Sequence, residues 1–351
     1  MFNIGLVRVS TRKTKLEHPG EIETYAINLN EKNKIKLPKS AENSAAIYVA
    51  LFLYSSLIPQ EMRKSGLKIS IRSSIPIGSG LGSSAAYSSA ISSAFLYFGG
   101  HISKKMSQAE KLEIINNWAY KSEQVIHGAP SGVDNYTVVH GGFVRYMKNK
   151  SIENIPLKGL DMEFVIVDTN VPKNTKAMVM GVKERHDKDE PGVRNKIDQI
   201  HDISNSFFDL VSNTIDTNSY KSDSSLNEFD SKISSLIEHN QNALRFIGVS
   251  HESLEDVIEI AKKHGYSAKL TGGGGGGCAL IHIPRNKKNN LDKVINDLES
   301  NGKVCYITKL GVEGLSLNFE PDSYQENFEN WFNLAPLNEL QEIASNVRST
   351  L

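Results

Sequence analysis

Six consecutive glycines, Gly272 to Gly277, stand between Lys269-Leu270-Thr271 and the apolar Cys278-Ala279-Leu280-Ile281 in this 351-residue chain. Glycine loses more conformational freedom on folding than any other residue. An unbroken run inside structured sequence therefore has to be offset by close approach of the backbone to a ligand or to another loop. A flexible linker is the alternative, but it fits poorly with apolar sequence on both sides. Cys278 beside the run reads as a small packing residue rather than a nucleophile.

A second glycine segment has a different setting. Leu67, Ile69 and Ile71 alternate with Lys68, Ser70 and Arg72, the period of a half-buried strand, and Pro76 followed by Gly78, Gly80 and Gly82 ends it. The Ala- and Ser-rich run from Ser83 to Phe98, closed by Gly99-Gly100, reads as a helix with small residues over its first turns. Pro76-Ile77-Gly78-Ser79-Gly80-Leu81-Gly82-Ser83-Ser84 thus leads from a strand into a helix N-terminus, where free N–H groups and the helix dipole favour an anion and glycines admit a phosphate. The segment has neither the Walker lysine nor, at Ser83, the third glycine of the dinucleotide fingerprint. A phosphate site of another kind is expected, with a tight turn and a serine N-cap as the plain alternative.

Acidic residues supply a third element. Ser107 and Glu110 form a capping-box pair, and Leu112, Ile115, Ala119, Ser122 and Ile126 follow at helical spacing up to Gly128. Glu123 lies near the end of that helix, and Gly128-Ala129-Pro130-Ser131-Gly132 turns the chain into Val133-Asp134-Asn135. Phosphoryl transfer needs one carboxylate to hold Mg²⁺ and another to orient or deprotonate the attacking hydroxyl; Glu123 and Asp134 could do both. From spacing alone, a solvated helix-end Glu and a turn Asp remain the alternative. His127 and His140 lack metal-ligand spacing and read as structural, and Trp118 and Tyr120 as core or boundary residues.

Composition narrows the partners. Lys plus Arg and Asp plus Glu are equal at 40 each, which removes the electrostatic case for a nucleic-acid or membrane-surface binder and leaves a small molecule. The apolar stretch Ala45 to Ile58 is too short for the ~20 residues of a bilayer span and reads as a buried helix. Two cysteines cannot form a disulfide framework, which points to a reducing compartment. Met1 to Leu16 is basic without an acid, a faint likeness to a transit peptide, and Ser349-Thr350-Leu351 is not the peroxisomal tripeptide, so the cytoplasm is the expected location.

Past Gly141-Gly142, Glu163 to Val167 reads as a strand opening a second domain and Asn213 to Ser225 as a loop. Leu254, Val257, Ile258 and Ala261 make one face of a helix ended by Gly265. Cys278 to Ile283, Leu291 to Ser300, Val304 to Ile307 and Leu315 to Phe319 follow as strand, helix, strand, strand. This order implies an α+β fold with helices on one face of a mainly antiparallel sheet. The domains are drawn at 1–155 and 156–325, with a tail, 326–351, given no function.

Taken together the segments resemble the GHMP small-molecule kinases, and among these the mevalonate kinase branch. The likeness rests on Gly80-Leu81-Gly82-Ser83-Ser84-Ala85-Ala86-Tyr87, on Ile115-Asn116-Asn117-Trp118-Ala119 leading to Glu123, and on His127-Gly128-Ala129-Pro130-Ser131-Gly132-Val133-Asp134-Asn135. Val171-Pro172 with Asn174-Thr175-Lys176, and Lys269-Leu270-Thr271 before the glycines, complete it; the likeness runs from about Ala41 to Phe319. It implies a two-domain fold, with a ribosomal S5 domain 2-like N-terminal domain, a ferredoxin-like C-terminal domain, and ATP and substrate between them. Gly78, Ser79, Gly80, Leu81, Gly82, Ser83 and Ser84 would embrace the ATP phosphates, Ser84 and Glu123 would hold Mg²⁺, and Asp134 would take the proton of the substrate's primary alcohol. Lys173, Thr175 and Gly273 would lie near the substrate, mevalonate, in a step toward isoprenoids and sterols, and a homodimer is implied.

Two departures from the family pattern are visible. The opening Pro-Gly-Lys motif with its following Gly-Glu-His has no counterpart, Pro19-Gly20-Glu21 being a superficial echo, so the chain is expected to lack its first strands and a lysine beside the catalytic acid. Gly273 stands where the branch usually carries Ala. Two further readings follow from these points and from the shared phosphate loop: a phosphomevalonate, galactose or homoserine kinase, or a weakened binding or regulatory partner of a full-length kinase.

Overall fold

A computed structural model describes residues 7–10, 26–27, 41–64, 67–71, 73, 75, 80–148, 150–155, 160, 162–173, 175–216 and 222–317. Gly78 and Ser79, expected to bind phosphate, and the tail, 326–351, lie outside these. The chain divides into two compact units: one comprises Gly82–Gly141 with the described parts of Phe2–Ile75 and Glu313–Leu351, the other Gly142–Val312 with the described part of Pro76–Leu81.

In the first unit, β1 (Val7–Ser10) and β2 (Ala26–Ile27) both pair antiparallel with β3 (Leu67–Ile71), the alternating strand read from the sequence. Four helices build its core: α1 (Ala41–Leu57), α2 (Ser83–Phe98), α3 (Gln108–His127) and α4 (Val133–His140). Ile91, Phe95 and Leu96 of α2 pack with Val49, Leu53 and Leu57 of α1, Ile115 of α3 and Val139 of α4. Helix α3 starts at the expected capping box, with Ser107 Oγ accepting from Glu110 N–H (3.3 Å) and Glu110 Oε2 accepting from Ser107 N–H (2.9 Å). Ala85, Ala86, Ser88, Ser89 and Ser92 are all buried, so α2 lies among its neighbours with small side chains and uses hydroxyls as cross-links; Ser92 Oγ is 3.3 Å from Ser122 Oγ of α3.

The second unit is organised on a four-stranded antiparallel sheet of order β7-β8-β6-β9, formed by β6 (Met162–Asp168), β7 (Ala268–Leu270), β8 (Cys278–Ile283) and β9 (Val304–Leu310). Val165, Val167, Ala279, Ile281 and Ile283 face α8 (Glu252–Lys263) and α9 (Leu291–Ser300). Met162 and Phe164 face the other way, onto Val211 of α6 (Val193–Asp216) and Phe229, Ile233 and Ile237 of α7 (Asp223–Phe246). Helices therefore cover both faces, a correction to the one-sided arrangement expected from the sequence. The physical reason is in β6: Phe164-Val165-Ile166-Val167 is apolar without alternation, as a strand buried on both sides must be. The hairpin of β4 (Phe143–Arg145) and β5 (Glu153–Ile155) adds Phe143 and Ile155 to the α6–α7 side, and α5 (Thr175–Asp187) precedes α6.

Two further expectations change. The polar stretch Asn213 to Ser225 is helical at both ends, since α6 runs to Asp216 and α7 begins at Asp223. Leu315 to Leu317 is not strand; Leu315 is buried in the α1–α4 core with its N–H on the Val139 carbonyl (3.0 Å). Among the described residues no helix is long and apolar enough to cross a membrane.

The α7 face of the sheet holds a buried polar cluster. Asp230 accepts from Arg285 N–H (2.8 Å) and Nη1 (2.5 Å), while His282 lies 3.0 Å from Ser234 Oγ with its ring 5.1 Å from that of Phe164. Burial first, then the charges of Arg285 and Lys287, hold His282 down to about 4, from an ordinary 6.5. The unfolded chain then takes up a proton near pH 6.5 that the native ring refuses, so this contribution is intact above pH 6.5 and is lost as the pH falls toward 4. Urea midpoints at pH 7 and pH 4.5 should fall less in His282→Gln than in the parent; equal losses in both would remove His282 as the cause.

Candidate active site

Helix α2 begins immediately after the first glycine loop, with Gly82 at its N-cap in the left-handed region (φ 77°). Ser84, in its first turn, and Ser88, one turn later, reach the same carboxylate on α3. Ser84 Oγ donates to Glu123 Oε2 (3.1 Å) and Ser88 Oγ donates to Glu123 Oε1 (2.8 Å). Glu123 is 3 % exposed, and among the described residues no Lys or Arg pairs with it. His127, one turn further along α3, places Nε2 at 3.3 Å from Ser84 Oγ and 3.6 Å from Glu123 Oε2. A buried carboxylate held by neutral hydroxyls is short of positive charge.

The turn after α3 is built by local rules. Gly128 (φ 74°) stops the helix with its N–H on the Gln124 carbonyl (2.9 Å), and Gly132 (φ 82°) caps α4. The Tyr120 ring packs against the Cα of Gly132, and its hydroxyl donates to the Pro130 carbonyl (3.4 Å). Asn135 is buried, its amide 2.7 Å from the Asn116 side chain of α3, which pins the start of α4. Asp134 beside it is exposed in the first turn of α4, where the positive helix end favours a carboxylate.

A second group forms within the other unit. The Lys173 ammonium lies against Gly80, where a Cβ would come 2.0 Å from Nζ, and also approaches Gly272. Thr175 packs on Gly273, where a Cβ would meet Cγ2 at 2.7 Å. The glycine run is tied to other loops: Gly275 N–H donates to Val249 O (2.9 Å), Gly277 N–H to Val171 O (2.8 Å), and Thr169 Oγ1 to Gly277 O (2.6 Å). It is a tightly packed loop and no linker. Gly80, Lys173, Thr175, Gly272 and Gly273 are thus brought together here, as Ser84, Glu123 and His127 are in the first unit.

Leu81 and Ser83 are partly buried beside the N-cap. Neither cysteine offers a nucleophile: Cys278 is buried, and burial, then Glu299, pushes the Cys305 thiol up to about 11. Sequence reasoning passed over Ser88 and set His127 aside as structural. The signal that could have found them is a matched spacing, Ser84 and Ser88 on one helix and Glu123 and His127 on the next, each pair four residues apart. No group of three or more His, Cys, Asp or Glu that could hold a metal occurs among the described residues.

The family model described as GHMP kinases N terminal domain matches residues 46–142, and that described as GHMP kinases C terminal matches 231–304. The mevalonate kinase of Arabidopsis thaliana is 33% identical over 307 residues, covering 84% of this chain and 75% of that protein. The mevalonate kinase of Homo sapiens is 31% identical over 337 residues, covering 90% and 82%. Among solved structures, L. major mevalonate kinase in complex with R-mevalonate shares the fold with a TM-score of 0.61 at 20% identity, covering 77% of this chain and 78% of that one. Methanococcus jannaschii mevalonate kinase gives a TM-score of 0.51 at 26% identity, covering 78% and 74%.

Proposed function

The chain belongs to the GHMP kinases, which use ATP as co-substrate, and from that premise we propose that it transfers the γ-phosphoryl group of ATP to the primary alcohol of mevalonate, giving 5-phosphomevalonate in a step toward isoprenoids. The observation that carries the reading is Glu123, a buried carboxylate near the end of α3 that accepts from Ser84 and Ser88 at the start of α2 and has no Lys or Arg partner among the described residues.

These residues fit a divalent cation of the Mg²⁺ type, which favours one or two carboxylates and takes its other ligands from substrate phosphates and water. Ser84 and Glu123 would hold it. When bound, Mg²⁺ would offset charge on the phosphate oxygens. The N–H groups from Gly78 to Ser84 would bind the phosphates. Lys173, against Gly80 and near Gly272, would counter charge on the transferring phosphoryl group, with Thr175 and Gly273 on the substrate side. Asp134 would accept the alcohol proton as the alcohol oxygen bonds to the γ-phosphorus and the bond from that phosphorus to the bridging oxygen of ADP breaks. On the same reading the protein works in the cytoplasm as a homodimer.

Release of ADP, followed with mevalonate, phosphomevalonate, galactose and homoserine in turn, tests the substrate. Mevalonate is expected to give a kcat/KM at least about 10²-fold above the others, because buried polar groups aimed at one substrate are left unpaired by the rest. A larger value with galactose or homoserine would overturn the assignment.

A further inference from the structure

Ser84 and Glu123 are themselves held from outside. Glu123 has two oxygens: Ser88 Oγ, fully buried, occupies Oε1 at 2.8 Å, and Ser84 Oγ occupies Oε2 at 3.1 Å. Because the Ser84 hydrogen is directed at Glu123, an Nε2–H on His127, 3.3 Å away, can only be accepted by a Ser84 lone pair. With the hydrogen on Nε2, the order of donation runs from His127 to Ser84 to Glu123, with Ser88 closing the far side. Two adjacent helices impose it, through one helical turn between Ser84 and Ser88 on α2 and another between Glu123 and His127 on α3.

We infer that Ser88 and His127 are positioning residues for the divalent cation: Ser88 fixes the carboxylate plane of Glu123, and His127 fixes the rotamer of Ser84. The inference rests on the assignment of Ser84 and Glu123 as cation ligands. Neither positioning residue touches the cation in this scheme. Partners that orient metal ligands in this way govern affinity, and their loss costs about 10- to 100-fold. Ser88→Ala keeps the volume of a small buried side chain and removes the hydroxyl, whereas Ser88→Thr restores it; His127→Gln alters a half-exposed residue at the end of α3.

The test is titration of Mn²⁺ into the full chain with ATP and no alcohol, with free Mn²⁺ read by electron paramagnetic resonance, alongside the Mg²⁺ dependence of turnover. Ser88→Ala and His127→Gln are each expected to raise the Mn²⁺ dissociation constant about tenfold and the half-saturating Mg²⁺ concentration in proportion. Their kcat at saturating Mg²⁺ should fall by much less, and Ser88→Thr should recover most of the Mn²⁺ affinity. Glu123→Gln separates the two layers of the argument. If it weakens Mn²⁺ binding while Ser88→Ala and His127→Gln leave it unchanged, the positioning role is wrong and the ligand assignment stands. If Glu123→Gln leaves Mn²⁺ binding unchanged, both are overturned.

Discussion

Asp134→Asn is expected to bind ATP within a few-fold of the parent affinity and to release ADP about 10²–10⁴-fold more slowly when mevalonate is added, the range that a positioned general base contributes. The substitution keeps size and shape but cannot accept the alcohol proton. Asp134 lies exposed at the start of α4, and its neighbour Asn135 carries the bond to Asn116 that secures the turn, so stability should change little. Nucleotide titration followed by mevalonate-dependent ADP release separates binding from chemistry. Turnover like that of the parent would take Asp134 out of the mechanism.

Gly274→Ala should be the most damaging small substitution in the glycine run. A Cβ there would stand 1.9 Å from the Val249 carbonyl oxygen and 2.9 Å from its carbon, at a φ of 72°. That oxygen already accepts from Gly275 N–H at 2.9 Å, so it cannot withdraw without breaking the bond. A left-handed conformation costs an L-residue roughly 1–2 kcal/mol, and forcing an extra carbon into a packed site adds about 1–3 kcal/mol. Gly302→Ala supplies the control, because its φ is 73° with nothing within 4 Å of the added carbon. Urea unfolding should show Gly274→Ala losing about 2–5 kcal/mol and Gly302→Ala only the first part. Equal losses would mean that the run tolerates a side chain as a linker does.

The local parts of the fold were legible because they obey local rules. Alternation marked β3, small residues and paired glycines bounded α2, and Ser107 with Glu110 announced α3. The second helical layer on the sheet was missed because the apolar run in β6 shows burial on two sides without saying which helices supply it. Glu123 and Ser84 could be nominated from motifs. Ser88 could not, since its role exists only once α2 lies against α3 and one carboxylate meets both serines. The approach of Lys173 to Gly80 is of the same kind, made by residues far apart in the chain with no periodicity connecting them.

The bond from Thr169 to Gly277 joins residues 108 positions apart, and its neighbours tie the glycines to Val171 and Val249. Contacts that span so much chain form only after the intervening polypeptide has surrendered its freedom, which makes them slow to appear. Helical structure in α2 and α3 can arise early from short-range order, but the loop beside Lys173 must wait for strands β6 and β8 to find each other. During refolding, enzymatic competence should consequently lag behind the return of helical circular dichroism.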